Sequence, residues 1–208
     1  MFPKAIFFDL DDTIVSFSAR AGATWFDVCD NFCEKNKTFK SKELFESINE
    51  YRTWFWSDDE RHRIGRNDMN LSARQIVCGA FSKLGIINQE YAYEIADNYS
   101  KKRLENLELF PKALETLAQL NKNKIRLALI TNGDPYAQRY KIRKFSLEKY
   151  FELILIEGEL GYGKPDKQIY QHALISLDLM PKDVWIGFPP PAFCKFHRFS
   201  HIIFMIFH

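Results

Sequence analysis

An α/β fold, a three-layer sandwich around a parallel sheet with an all-α helical bundle inserted into it, is what three features of this 208-residue sequence predict. Short continuous apolar runs recur and end in polar or glycine-containing loops. Helical patterns lie between those runs. One long stretch, residues 16–105, breaks the alternation and carries helical patterns alone.

The first run, Ala5 to Phe8 in KAIFFDLDDT, stops at a cluster of acids. A continuous apolar run of this length suits a strand buried on both faces. In the insertion, Trp25, Val28, Cys29, Phe32 and Cys33 repeat at helical spacing, as do Leu44, Phe45, Ile48, Tyr51 and Phe55. Val77, Ala80, Phe81 and Leu84 form a third stripe that ends at Gly85, and Tyr91, Ile95 and Tyr99 a fourth. Residues 16–105 are therefore expected to be a small helical bundle over the carboxyl end of the first strand, with 1–15 and 106–187 as the α/β core. In that core Leu114, Leu117 and Leu120 mark a helix after Pro111, and IRLALITNGD (125–134) marks a strand. Asp134 and Pro135 supply an N-cap and first-turn pair. FELILIEGEL (151–160) reads as the next strand, Ile169, Tyr170, Ala173, Leu174 and Leu177 as a helix, and DVWIG (183–187) as the last strand. Strands alternating with helices imply parallel pairing through right-handed crossovers.

Length and composition suit a soluble domain with a proper core. The formal charge is +2, and Lys195 and Arg198 account for all of it, so neither a nucleic-acid nor a membrane partner is indicated. Residues 1–10 reach an acidic strand end too soon for a signal peptide, which predicts a cytoplasmic address. The four cysteines lack metal-type spacing, and Cys29 and Cys33, four residues apart on a helix, are expected as buried thiols.

In open parallel sheets a ligand lies at the carboxyl ends of the strands. There the sequence places Asp9 and Asp11, then Thr131, Asn132 and Gly133, then Lys164 in GYGKPD. Phosphoryl transfer needs an in-line nucleophile, a proton donor for the leaving oxygen, and positive charge and hydrogen-bond donors around the equatorial oxygens. Asp9 and Asp11 flank one residue, so an extended segment points both to one side. Singly each residue has a plain explanation: a solvated acidic loop, a strand-end threonine, a surface lysine ahead of a helix. Their joint order at successive strand ends points to a phosphate site.

FFDLDDT, LALITNG and GYGKPD resemble the first three motifs of the haloacid dehalogenase superfamily of phosphohydrolases, over residues 4–187. The resemblance implies a Rossmann-like core with a helical cap like that of the subgroup whose insertion follows motif one. It implies that Asp9 forms an aspartyl-phosphate and that Asp11 protonates the leaving group and then activates water. It further implies that Thr131, Asn132 and Lys164 bind the phosphoryl group, and that Asp9, with the main-chain carbonyl of Asp11, holds Mg2+. Such an ion takes few protein ligands and shares phosphate oxygens. The dehalogenases that named the superfamily lack an acid at the position of Asp11, which favours phosphate esters here. A phosphorylatable receiver domain has a comparable acidic cluster but no inserted bundle.

Motif four of the superfamily reads as glycine, aspartate and a further acid; here Gly187 is followed by Phe188. Asp183 lies at the other end of that strand, about 13 Å away at ~3.3 Å per residue, and Asp134 has an N-cap to make. From Phe188 to His208 no acid occurs, while six phenylalanines and Pro189 to Pro191 crowd the segment. This composition reads as an out-of-frame tail; the alternative is a divergent end in which residues 201–207 add an edge strand. In the insertion, Tyr51, Trp54 and Trp56 mix with Arg52, Arg61, Arg63 and Arg66, either as a base-and-phosphate binder or as an aromatic cluster anchoring a charged loop. The functional expectation is a magnesium-dependent phosphatase of a small phosphorylated metabolite, nucleotide or sugar phosphate, impaired by the loss of motif four. A non-catalytic phospholigand-binding protein and a phosphomutase are the alternatives.

Overall fold

The first apolar run forms strand β1 (Ala5–Phe8), one of the two interior strands of what is, among the described residues, a four-stranded parallel sheet. The computed structural model describes residues 3–37 and 39–187. The expectations for the tail from Phe188, and for Cys194 within it, lie outside the described residues. The chain divides between Phe17 and Ser18 and again between Leu107 and Glu108. These divisions fall slightly later than the sequence pattern suggests at 16 and 105.

In the first unit, β1 is followed by β2 (Val15–Ser16), and the chain returns through β3 (Glu108–Leu109). These two-residue strands pair antiparallel, Val15 opposite Leu109 and Ser16 opposite Glu108. They are too short for any periodicity to reveal. Helix α6 (Ala113–Lys122) then leads to β4 (Arg126–Thr131), and α7 (Pro135–Lys144) to β5 (Leu153–Ile156). A helical turn, α8 (Glu157–Leu160), precedes α9 (Lys167–Ser176) and β6 (Val184–Gly187). The sheet order is β5-β4-β1-β6, with Phe8 opposite both Leu129 and Gly187. Alternate residues of a strand face opposite sides. Ala5, Phe7, Ala128 and Ile130 accordingly pack with Ile169, Ala173 and Leu177 on and just after α9, while Ile6, Leu127 and Leu129 are buried on the other face, the side suited to α6, which touches β4.

The second unit is all helix: α1 (Ala21–Lys35), α2 (Ser41–Trp56), α3 (Asp59–Gly65), α4 (Met69–Lys83) and α5 (Gln89–Glu105). Its core joins Trp25, Phe32, Leu44, Ile48, Ile76, Phe81 and Ile95 with Tyr99, whose ring stacks on Trp25 at 3.6 Å between centroids. Helix α3 occupies part of the region read as a charged loop. Asp58 nucleates it by accepting a hydrogen bond from the Arg61 N–H at 2.8 Å. The interleaved aromatics pack on one another, Tyr51 against Trp54 and Phe55 against Trp56. Arg61 lies 4.0 Å over the Trp54 ring and donates to the carbonyls of Trp54 and Phe55, and Arg63 pairs with Glu60. Gly79 is required here, because a Cβ would lie 2.0 Å from the Tyr51 ring. Cys29 and Cys33 are buried and Cys78 partly so; all three are thiols.

Candidate active site

Everything that positions the site begins at the carboxyl end of β1. Leu10 is fully buried, while the acids on either side of it stay partly exposed and close enough for the Asp11 charge to act on Asp9. Asp9 continues the sheet through its N–H to the Gly187 carbonyl at 3.2 Å. Its Oδ1 accepts from the Leu10 N–H and lies against Lys164 Nζ, both at 2.7 Å. After Asp11 the chain turns at Asp12, whose φ of 56° is left-handed, a conformation that aspartate tolerates better than most side chains. The Asp12 carboxylate fixes the turn by accepting the Phe17 N–H at 3.0 Å.

The second layer comes from the end of β4. Thr131 is 1% exposed, and its hydroxyl accepts from Gln138 Nε2 at 3.1 Å. Asn132 clasps the lysine loop: its Nδ2 donates to the Lys164 carbonyl at 2.7 Å, and its Oδ1 accepts the Lys164 N–H at 2.8 Å. Asn132, expected at the phosphate, thus also orients Lys164 through its side chain. Close approach makes Gly163 obligatory, since a Cβ there would sit 2.6 Å from Asn132 Oδ1. Gly133 has a φ of +112° and donates to the buried Glu157 carboxylate at 3.1 Å. Asp134 accepts from the Ala137 N–H at 2.7 Å and so caps α7. Asp183 pairs with Lys4 at 3.2 Å, at the amino-terminal end of β6.

Three residues absent from the sequence reading complete the constellation. Lys141, on α7, is 1% exposed, and its Nζ lies 2.8 Å from both oxygens of Asp11 and 3.6 Å over the Phe17 ring. Gln138, one turn earlier and also buried, donates to Asp11 Oδ2 at 3.0 Å, to Thr131 Oγ1 and to the Asn132 carbonyl. Glu157 is the third, at the end of β5. A buried lysine is costly unless paired, so its acid partner is the signal; the separation of 130 residues in sequence hid it.

Each acid therefore has its own lysine. Burial pushes the Asp9 carboxyl above its ordinary range and the Asp11 charge adds to that rise, while Lys164 and the Leu10 N–H act the other way. The Asp9 carboxylate and the Asp11 main-chain carbonyl are hard oxygen donors of the kind magnesium takes, and that ion draws only one or two carboxylates from protein while keeping waters. The donors present fit that small share. Among the described residues no group of three or more His, Cys, Asp or Glu side chains is placed to hold a metal. None of the described helices is long and apolar enough to cross a membrane.

A family model described as haloacid dehalogenase-like hydrolase matches residues 3–186. A phosphoserine phosphatase of Thermus thermophilus is 37% identical over 94 residues, 45% of this chain and 37% of that protein. An N-acylneuraminate-9-phosphatase of Rattus norvegicus is 27% identical over 88% of this chain and 73% of its own length. A glyceraldehyde 3-phosphate phosphatase of Pyrococcus furiosus is 27% identical over 86% of this chain and 70% of its own. Among solved structures, a 2-haloacid dehalogenase of Pseudomonas syringae shares the fold with a TM-score of 0.57, at 23% identity over 90% of this chain and 77% of that one.

Proposed function

The chain belongs to the haloacid dehalogenase-like hydrolases, and we propose that within that family it is a phosphatase of small phosphate esters acting through Asp9. The observation that carries this reading is the pair of acids around buried Leu10, with Asp9 2.7 Å from Lys164, Asp11 2.8 Å from Lys141, and Thr131 at the end of the neighbouring strand. The phosphatases among its relatives support the same reaction class.

In the proposed mechanism a carboxylate oxygen of Asp9 attacks phosphorus, the bond to the leaving oxygen breaks, and Asp11 gives that oxygen a proton. Water then attacks the aspartyl-phosphate and gives a proton to the Asp11 carboxylate, which restores the acid, and the bond from Asp9 to phosphorus breaks, releasing inorganic phosphate. Lys164 and Thr131 bind the phosphoryl oxygens, with Asn132 holding Lys164 in place. A magnesium ion, held by Asp9 and the Asp11 carbonyl, would supply positive charge to those oxygens. With Phe188 where motif four has an acid, that ion would be held loosely and turnover would be low. The test is hydrolysis of p-nitrophenyl phosphate by the chain and by Asp9→Asn, with and without magnesium. Loss of turnover in the variant is expected; equal turnover removes Asp9 from the mechanism.

A second reading, a protein that binds phosphorylated ligands without turning them over, is favoured by the missing third acid among the described residues. It predicts that a phosphorylated metabolite raises the melting temperature by mass action while no inorganic phosphate appears. A phosphomutase would be revealed by an isomeric product.

A further inference from the structure

Helix α7 starts three residues after Asn132, and its cap, Asp134, fixes where the helix begins. From that start Gln138 and Lys141, three residues apart, fall on one face. Both reach the same carboxylate. Lys141 Nζ bridges the two oxygens of Asp11 at 2.8 Å each, and Gln138 Nε2 adds 3.0 Å to Oδ2. The same amide nitrogen reaches Thr131 Oγ1 and the Asn132 carbonyl, so one side chain ties the end of β1 to the end of β4. Gln138 Oε1 is buried without a partner, and an amide turned the other way would set that oxygen against the Asp11 carboxylate.

We propose that Lys141 and Gln138 are positioning residues that hold Asp11 in the one orientation from which it exchanges a proton with the leaving oxygen. The inference rests on the reading of Asp11 as proton donor. An aspartate side chain on a loop has two torsions to order, and an ammonium across both oxygens removes that freedom before substrate arrives. Charge-assisted contacts of this kind are short; the ammonium acts as a point charge centred on the carboxylate, and the Gln138 amide adds the directional bond. Lys141 itself is kept in place by burial and by Phe17 under its Nζ. The fixed carboxylate matters most where the leaving oxygen is basic, because only such an oxygen needs its proton during bond breaking. An ester with a good leaving group departs without that help.

The experiment is single-turnover release of the alcohol from a series of substituted phenyl phosphates, from dinitrophenyl to unsubstituted phenyl, at excess enzyme. It reads only the transfer to Asp9 and not the later hydrolysis. Lys141→Met is expected to lower the rate on phenyl phosphate on the order of 10²-fold and that on dinitrophenyl phosphate by less than about tenfold. Gln138→Leu is expected to show the same pattern at about a tenth of the size, and it carries the test if Lys141→Met does not fold. In an Asp11→Asn background, either substitution should add no further loss on phenyl phosphate. Equal loss across the whole series, or an undiminished loss in the Asp11→Asn background, overturns the positioning role while leaving the phosphatase reading intact. Absence of any alcohol release from the parent chain, matched by Asp9→Asn, overturns the phosphatase reading and this inference with it.

Discussion

Asp9, Asp11, Thr131 and Lys164 stood out in the sequence jointly and not singly, because polar groups that follow successive apolar runs repeat one local pattern. Gln138 and Lys141 did not, since a glutamine and a lysine on a helix next to arginines look solvated until the fold brings Asp11 across 127 and 130 positions. The same local logic works for thiols. Cys29 is fully buried, and burial, with Cys33 and Asp30 nearby, pushes it up from 9.0 to about 12. A folded-state value above the unfolded one means that the unfolded chain loses the proton first. The stability linked to this group is complete below pH 9 and is lost as pH rises toward 12. Between pH 9 and 10.5 the parent should lose on the order of 2 kcal/mol more than Cys29→Ala, at about 1.4 kcal/mol per pH unit. Denaturant melts of the two proteins at both pH values check this, and parallel losses would show that Cys29 does not titrate on unfolding.

Among the elements, the long ones followed from period and punctuation, and the short ones did not. Helix α4 ends where Gly85 adopts a φ of +69°, and α7 begins at the capped Asp134 and Pro135, both visible in sequence. Helix α3, of seven residues, and the two-residue strands β2 and β3 carry no repeat long enough to detect. Helix α7 links this scale to the site, because its first turn sets the register of Gln138 and Lys141. Asp134→Ala removes the 2.7 Å bond to the Ala137 N–H and is expected to cost about 1 kcal/mol of stability. Asp134→Asn, which caps comparably, should cost a few tenths at most. Thermal melts of the pair decide the matter. If alanine and asparagine destabilise alike, the carboxylate acts through its charge at the helix start and not through the cap bond.

For the molecule as a whole, sequence pattern separated a helical insertion from an α/β core, and the structure adds how the insertion is attached. The chain leaves the core at β2 and re-enters it at β3, and these strands are hydrogen-bonded neighbours, so the two ends of residues 18–107 emerge side by side. An insertion whose ends meet imposes little loop-closure cost on its host and asks nothing of the host to close its own fold. Its core is also its own. The buried Trp25, Phe32, Leu44, Ile48, Ile76, Phe81, Ile95 and Tyr99 all belong to α1, α2, α4 and α5 and form one cluster. With such a core, a fragment of residues 18–107 is expected to be helical and to melt in one cooperative transition, since it is well above the ~40 residues below which domains usually need staples. Circular dichroism of the purified fragment measures both. A fragment that is helical yet melts without a sigmoidal transition would mean that the bundle acquires its fixed packing only when its ends are held by β2 and β3. Inserting a short flexible linker between each end and its strand in the intact chain would then lower the melting temperature of the whole protein, and an unchanged melt would place the missing contacts elsewhere in the core.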